Sequence, residues 1–124
     1  MNKSRPKHLA LYHIRFPIQA IVSILHRISG VLLFLSLPIL LWLLQYSLRT
    51  IETYTTLASL LQYPLSKLCI VILLWAFLHH FCAGIRYLLI DIHYGVQLAQ
   101  ARASSKWVLA VSITLTVLIG ARLW

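Results

Sequence analysis

The chain has 124 residues, 60% of them hydrophobic, with 11 Lys and Arg against 2 acids and a mean hydropathy of +0.85. Only 10% of the residues are charged, where a soluble domain carries about 25%, so too little polar surface exists to coat a water-soluble globule. The same apolar excess excludes intrinsic disorder. A formal net charge of +9 raises the question of nucleic acid, but the basic residues bracket long uncharged runs instead of forming a patch.

The first uncharged run extends from Ile28 to Leu48, between Arg27 and Arg49. At about 1.5 Å per helical residue it crosses a hydrocarbon core of roughly 30 Å. Pro17 suits a first helical turn and Ile18–Leu25 is largely apolar, so Pro17–Leu48 reads as one long, tilted helix that passes through Pro38. Residues Thr50–Pro64 read as a loop of turn or amphipathic character. A second run, Leu68–Ile85, lies between Lys67 and Arg86, and its apolar character continues to Ile90. Residues His93–Ser105 read as the second loop. The third run, Trp107–Ala121, is the shortest; Lys106 can snorkel, and Trp107 and Trp124 suit the two interfaces. The expectation is an all-α integral membrane fold with transmembrane helices at 20–48, 66–92 and 107–124. These form a single domain over 1–124, as part of a larger heteromeric bundle.

Lys3, Arg5, Lys7, Arg15, Arg27, Arg86, Arg102 and Lys106 fall on one side of the membrane in this topology, and Arg49, Lys67 and Arg122 on the other. The positive-inside rule then places the N-terminus in the cytoplasm and the C-terminus in the periplasm. The net charge is accounted for by topology, without a nucleic-acid module. The N-terminal residues have the pattern of neither a cleavable signal nor a transit peptide. Cys69 and Cys82, 13 residues apart, match no metal or iron–sulfur spacing and read as buried small apolar residues.

Ionisable groups at membrane depth are costly and therefore functional candidates. His80, Gly84, Tyr87 and Asp91 share one helical stripe, and His79 lies about 100° round from His80. The glycine beside His80 leaves room for a flat, large group such as a haem edge, or for a close neighbouring helix, the plainer reading of His80 being a neutral histidine hydrogen-bonded across helices. His79 and His80 point apart, so one of them is structural. In the first helix Ser23 has Arg27 as its i+4 neighbour and His26 as its i+3 neighbour. A hydroxyl and a guanidinium beside an apolar cleft can hold a ligand carbonyl, and His26 and Arg27 can pair with carboxylates. The plainer alternative for such an arginine is contact with lipid phosphate.

Two segments carry a family resemblance. Ser23-Ile24-Leu25-His26-Arg27-Ile28-Ser29-Gly30, preceded by Arg5-Pro6 and Arg15-Phe16-Pro17-Ile18, resembles the signature of the cytochrome b556 membrane-anchor subunits of bacterial succinate dehydrogenase. His80-Phe81-Cys82-Ala83-Gly84-Ile85-Arg86, followed by Asp91, is similar to that family's second signature. The resemblance implies that His80 is an axial ligand to the iron of a haem b shared with a second membrane-anchor subunit. It also implies that His26 and Arg27 lie at the haem propionates, and that Ser23 and Arg27 help form the ubiquinone site. The remaining partners would be the iron–sulfur subunit, the flavoprotein subunit and the lipid bilayer of the bacterial inner membrane. The chain would then be an anchor and a contributor to quinone reduction, with no catalytic residues of a dehydrogenase. Tyr87 stands where the family commonly has histidine. Competing readings are a proton-conducting or transporter subunit that uses His79, His80, Arg86 and Asp91, an anchor without haem, and a fumarate reductase anchor.

Overall fold

A computed structural model describes residues 14–123, and the described residues form four helices joined by short turns. The elements are α1 (Ile18–Ser47), α2 (Ile51–Leu60), α3 (Pro64–Asp91) and α4 (Leu98–Leu123). Three of them, α1, α3 and α4, are long and apolar enough to cross a membrane. Lys3, Arg5, Pro6, Lys7 and Trp124, which entered the sequence argument, lie outside the described residues.

Pro17 precedes the first turn of α1 with extended backbone, and Pro64 opens α3, where the missing amide costs nothing. α1 has 30 residues and is therefore about 45 Å long, so it must tilt or project beyond the hydrocarbon. It continues through Pro38 without a break. The segment expected as the first loop contains the helix α2, whose start is fixed by reciprocal Thr50–Thr53 hydrogen bonds with Glu52 in the first turn. The third spanning helix begins at Leu98, nine residues before the expected 107. Its added turns, Leu-Ala-Gln-Ala-Arg-Ala-Ser-Ser, are rich in helix formers that need no lipid. The second loop shrinks accordingly, and turns through His93 (φ 64°) and Gly95 (φ 75°), both left-handed.

The interior is small and polar. Val22, Ser29 and Ser36 on α1, Ala76, His79, Ala83 and Arg86 on α3, and Ser105, Val108, Ser112 and Thr116 on α4 are the buried positions. Their hydroxyls fold back onto helix carbonyls: Ser29 onto His26, Ser36 onto Leu33, Ser105 onto Ala101 and Thr116 onto Ser112. Such residues occupy little more space than alanine and let helices approach closely. The large apolar side chains point outward instead; Phe34 is 72% exposed and Trp107 68%. Water would not tolerate that inversion, and hydrocarbon favours it. Cys82 is half-buried, but Cys69 is on the outer surface, contrary to the expectation of burial. Its neighbours in a cavity of about 400 Å³ are leucines and isoleucines of α1, α2 and α3, so an apolar thiol is compatible with lipid there.

Arg86 clamps the last turns of α3 to the first turns of α4. Only 7% exposed, it donates from Nε to Ser104 Oγ at 2.9 Å and from Nη2 to the Ala101 carbonyl at 3.3 Å, and its guanidinium lies 5.2 Å from the Tyr87 ring centre. Replacing it by methionine fills similar volume but deletes both bonds. Arg86→Met should lower stability by about 1–3 kcal/mol, seen as earlier unfolding of the detergent-solubilised protein on heating; an unchanged transition would contradict the clamp.

Candidate functional site

α1 and α3 run antiparallel, so the start of α1, the end of α3 and the start of α4 share one face of the bundle. His26 is eight residues into α1 and His80 eleven residues before the end of α3, which puts both about 12–16 Å from that face. The two rings stack at 4.2 Å between centroids, inclined by 9°. The Tyr87 ring packs on the other flank of His26, 5.2 Å away. His26 of the first expected cluster thus meets His80 and Tyr87 of the second.

His80 is held chiefly through Nδ1. That atom lies 3.0 Å from the His26 carbonyl oxygen and 3.3 Å from Ser29 Oγ, while Ser29 Oγ itself donates to the same carbonyl at 2.8 Å. One tautomer satisfies all three contacts. With the proton on Nδ1, the ring donates to the carbonyl and to the hydroxyl oxygen; without it, a nitrogen lone pair would face the carbonyl oxygen. Nε2 then carries a lone pair and, among the described residues, has no hydrogen-bond partner. Gly30 provides the space beside the ring. A Cβ there would come within 2.9 Å of His80 Cε1, closer than any side chain can settle without displacement. At Gly84, the glycine singled out from sequence, a Cβ would lie 3.8 Å from His26 Nε2, an ordinary contact, so α1 runs alongside it without needing the glycine.

His79 turns to the opposite seam. It is fully buried, stacks on Trp75 at 5.2 Å, and its Nδ1 is 3.5 Å from Ser112 Oγ on α4. Its Nε2 is buried and makes no hydrogen bond of good geometry, and the ring also approaches the Val22 backbone of α1. The two histidines therefore have different side-chain partners, Ser29 of α1 for His80 and Ser112 of α4 for His79, as a separation of about 100° allows. Asp91 is exposed at the end of α3, well apart in the chain from either ring. Ser23 is half-buried and Arg27 exposed on α1. Unlike the seam serines, Ser23 has no hydrogen-bond partner among the described residues. The Tyr87 hydroxyl and Gln19 Oε1 are buried and equally unpartnered. Uncommitted donors and acceptors at one end of the α1–α3 seam suit a ligand with carbonyl or carboxylate oxygens.

Residues 1–119 match the family model described as "Succinate dehydrogenase/Fumarate reductase transmembrane subunit". The chain belongs to that family. A succinate dehydrogenase cytochrome b556 subunit of Coxiella burnetii is 39% identical over 125 residues, covering 100% of both chains. The proteins of the same name from Rickettsia felis and Paracoccus denitrificans are 36% and 31% identical, over 90% and 94% of this chain and 86% and 88% of theirs. The molecule is accordingly a multi-pass, all-α membrane subunit of the succinate dehydrogenase/fumarate reductase family.

Within this family member the structure brings His26, His80 and Tyr87 together and leaves Arg27 facing outward. Ser29 and Gly30 were not singled out for any role from sequence. The available signal was their position three and four residues after His26, which puts them on the same face of α1 as that histidine.

Proposed function

We propose that this chain is the haem b-carrying anchor subunit of a succinate:quinone oxidoreductase of the bacterial inner membrane, with its N-terminus in the cytoplasm. The observation that carries the reading is the state of His80. Histidines that bind metals characteristically donate their second ring nitrogen to a carbonyl or similar acceptor, which fixes the tautomer and raises ligand basicity. His80 has that arrangement, with Nδ1 on the His26 carbonyl at 3.0 Å and Nε2 without a partner among the described residues. The relatives' shared name, cytochrome b556, agrees with it.

When bound, haem b supplies a one-electron relay inside the membrane. This chain offers its iron the Nε2 atom of His80. His26 is stacked flat against the His80 ring at 4.2 Å and would serve as a neighbour of the ligand rather than as a ligand itself. His79 is buried toward α4. As the family resemblance implies, the other ligand would come from a second membrane-anchor subunit, and the outward apolar surface of α1 and α3 offers it a place to lie. His26 and Arg27 face the propionates in this reading, where the guanidinium neutralises a carboxylate at membrane depth.

Ser23 and Arg27 contribute to the ubiquinone site. The uncommitted hydroxyl and the guanidinium, neighbours one turn apart, donate to a quinone carbonyl and stabilise the negative charge that grows on it during reduction. Electrons arrive from succinate through a flavoprotein and an iron–sulfur subunit tethered by this chain and its membrane partner. Arg15, Arg27, Arg86, Arg102 and Lys106 share one face of the bundle, which supports a cytoplasmic placement of that face.

Deleting the gene in its native host tests the reading. Succinate oxidation with an artificial acceptor should move from the membrane fraction to the soluble fraction, and succinate-driven quinone reduction should disappear. Full quinone reduction in membranes lacking the chain would overturn the proposal. A membrane-bound activity that runs preferentially from quinol to fumarate would point instead to the fumarate reductase anchor that the family description also covers.

A further inference from the structure

Among the buried serines of the described helix seams, Ser29 is the one whose acceptor carbonyl also meets a histidine ring. Ser36, Ser105 and Ser112 bond to carbonyls of Leu33, Ala101 and Leu109. Ser29 bonds to the carbonyl of His26, which is also the acceptor for the His80 ring. Ser29 is fully buried, so no water can replace its hydroxyl.

We infer that Ser29 is a positioning residue that governs how strongly His80 donates through Nδ1, and thereby sets the reduction potential of the haem that His80 binds. This inference rests on the haem reading of His80. Two effects of the hydroxyl oppose one another. As an acceptor, Ser29 Oγ draws on the Nδ1 proton across 3.3 Å, which makes the imidazole more electron-rich. As a donor, it occupies the His26 carbonyl at 2.8 Å, which leaves that oxygen a weaker acceptor for the ring. The shorter contact is the stronger one, so the second effect wins. Removing the hydroxyl frees the carbonyl, lets the Nδ1–H bond tighten, and gives the ligand more anionic character. Anionic character favours ferric over ferrous iron. The native serine therefore holds the potential up, in the direction that eases electron acceptance from the iron–sulfur chain. Geometry limits the substitutions that preserve this: Ser29 precedes Gly30, whose missing side chain already fixes the space beside His80.

The test is a redox titration of the assembled complex, followed optically, in the native protein, Ser29→Ala and Ser29→Thr. Ferric low-spin electron paramagnetic resonance is recorded in parallel as a measure of ligand field and ring orientation. Ser29→Ala should shift the ferric/ferrous equilibrium on the order of tenfold toward ferric, a potential lower by about 59 mV, with a changed resonance. Ser29→Thr retains the hydroxyl and should stay close to the native value. A purely structural seam serine would leave potential and resonance where they were. An unchanged or raised potential in Ser29→Ala, with haem bound as in the native complex, overturns the inference alone. A native complex without haem overturns the functional reading and this inference together.

Discussion

Replacing His80 by leucine should remove the haem signal from the purified complex, with bound haem falling to a tenth of the native level or less. Leucine fits the half-buried position between α1 and α3 and has no donor atom for iron, so the loss is of ligation more than of packing. His79→Leu is the matched control. His79 is fully buried against Trp75 and Ser112 on the far seam, so its replacement should affect stability and leave the haem spectrum in place. Loss of haem in His79→Leu with retention in His80→Leu would exchange the roles assigned to the two histidines. Retention in both would remove this chain from haem ligation.

The second large effect is expected at Arg27. Arg27→Ala deletes a charge-assisted donor worth about 1.5–3 kcal/mol, which corresponds to roughly a 10- to 100-fold loss in succinate-driven quinone reduction. Succinate oxidation by an artificial acceptor should remain near native levels, because that chemistry takes place outside the membrane. Arg27 is exposed on α1, away from the buried seam, so the packing of this chain's own helices does not depend on it. Parallel assays of the two activities on the same membranes check the split. An equal fall in both would mean that Arg27 serves assembly; no fall in either would remove it from the quinone site.

The spanning helices were legible in the sequence because the medium writes them as uncharged runs between cations. Pro17 and Pro64 mark where α1 and α3 start, and Arg27 and Lys67 do not interrupt them. Periodicity also anticipated that His79 and His80 have different side-chain partners, since successive residues on a helix point about 100° apart. The short helix α2 and the early start of α4 were not read, for a common reason. Both lie where apolarity falls off, and there helix formation is decided by caps and propensity, as at Thr50–Thr53 and along Leu98–Ser105. The role of Ser29 and Gly30 was hidden differently. Each depends on a residue about fifty positions away, His80, and no local pattern encodes which side chain of α3 meets them. The stacking of His26 on His80 belongs to the same class: a pairing across helices, visible only once the register of α1 against α3 is fixed.

The proposed role requires that this membrane subunit carry a haem in a complex that oxidises succinate. The most direct measurement is a dithionite-reduced minus oxidised optical spectrum of the complex captured through a tag on this chain, with flavin quantified in the same sample. The account predicts a b-type spectrum with haem and flavin in comparable amounts. A complex that contains flavin but shows no b-type spectrum would contradict it.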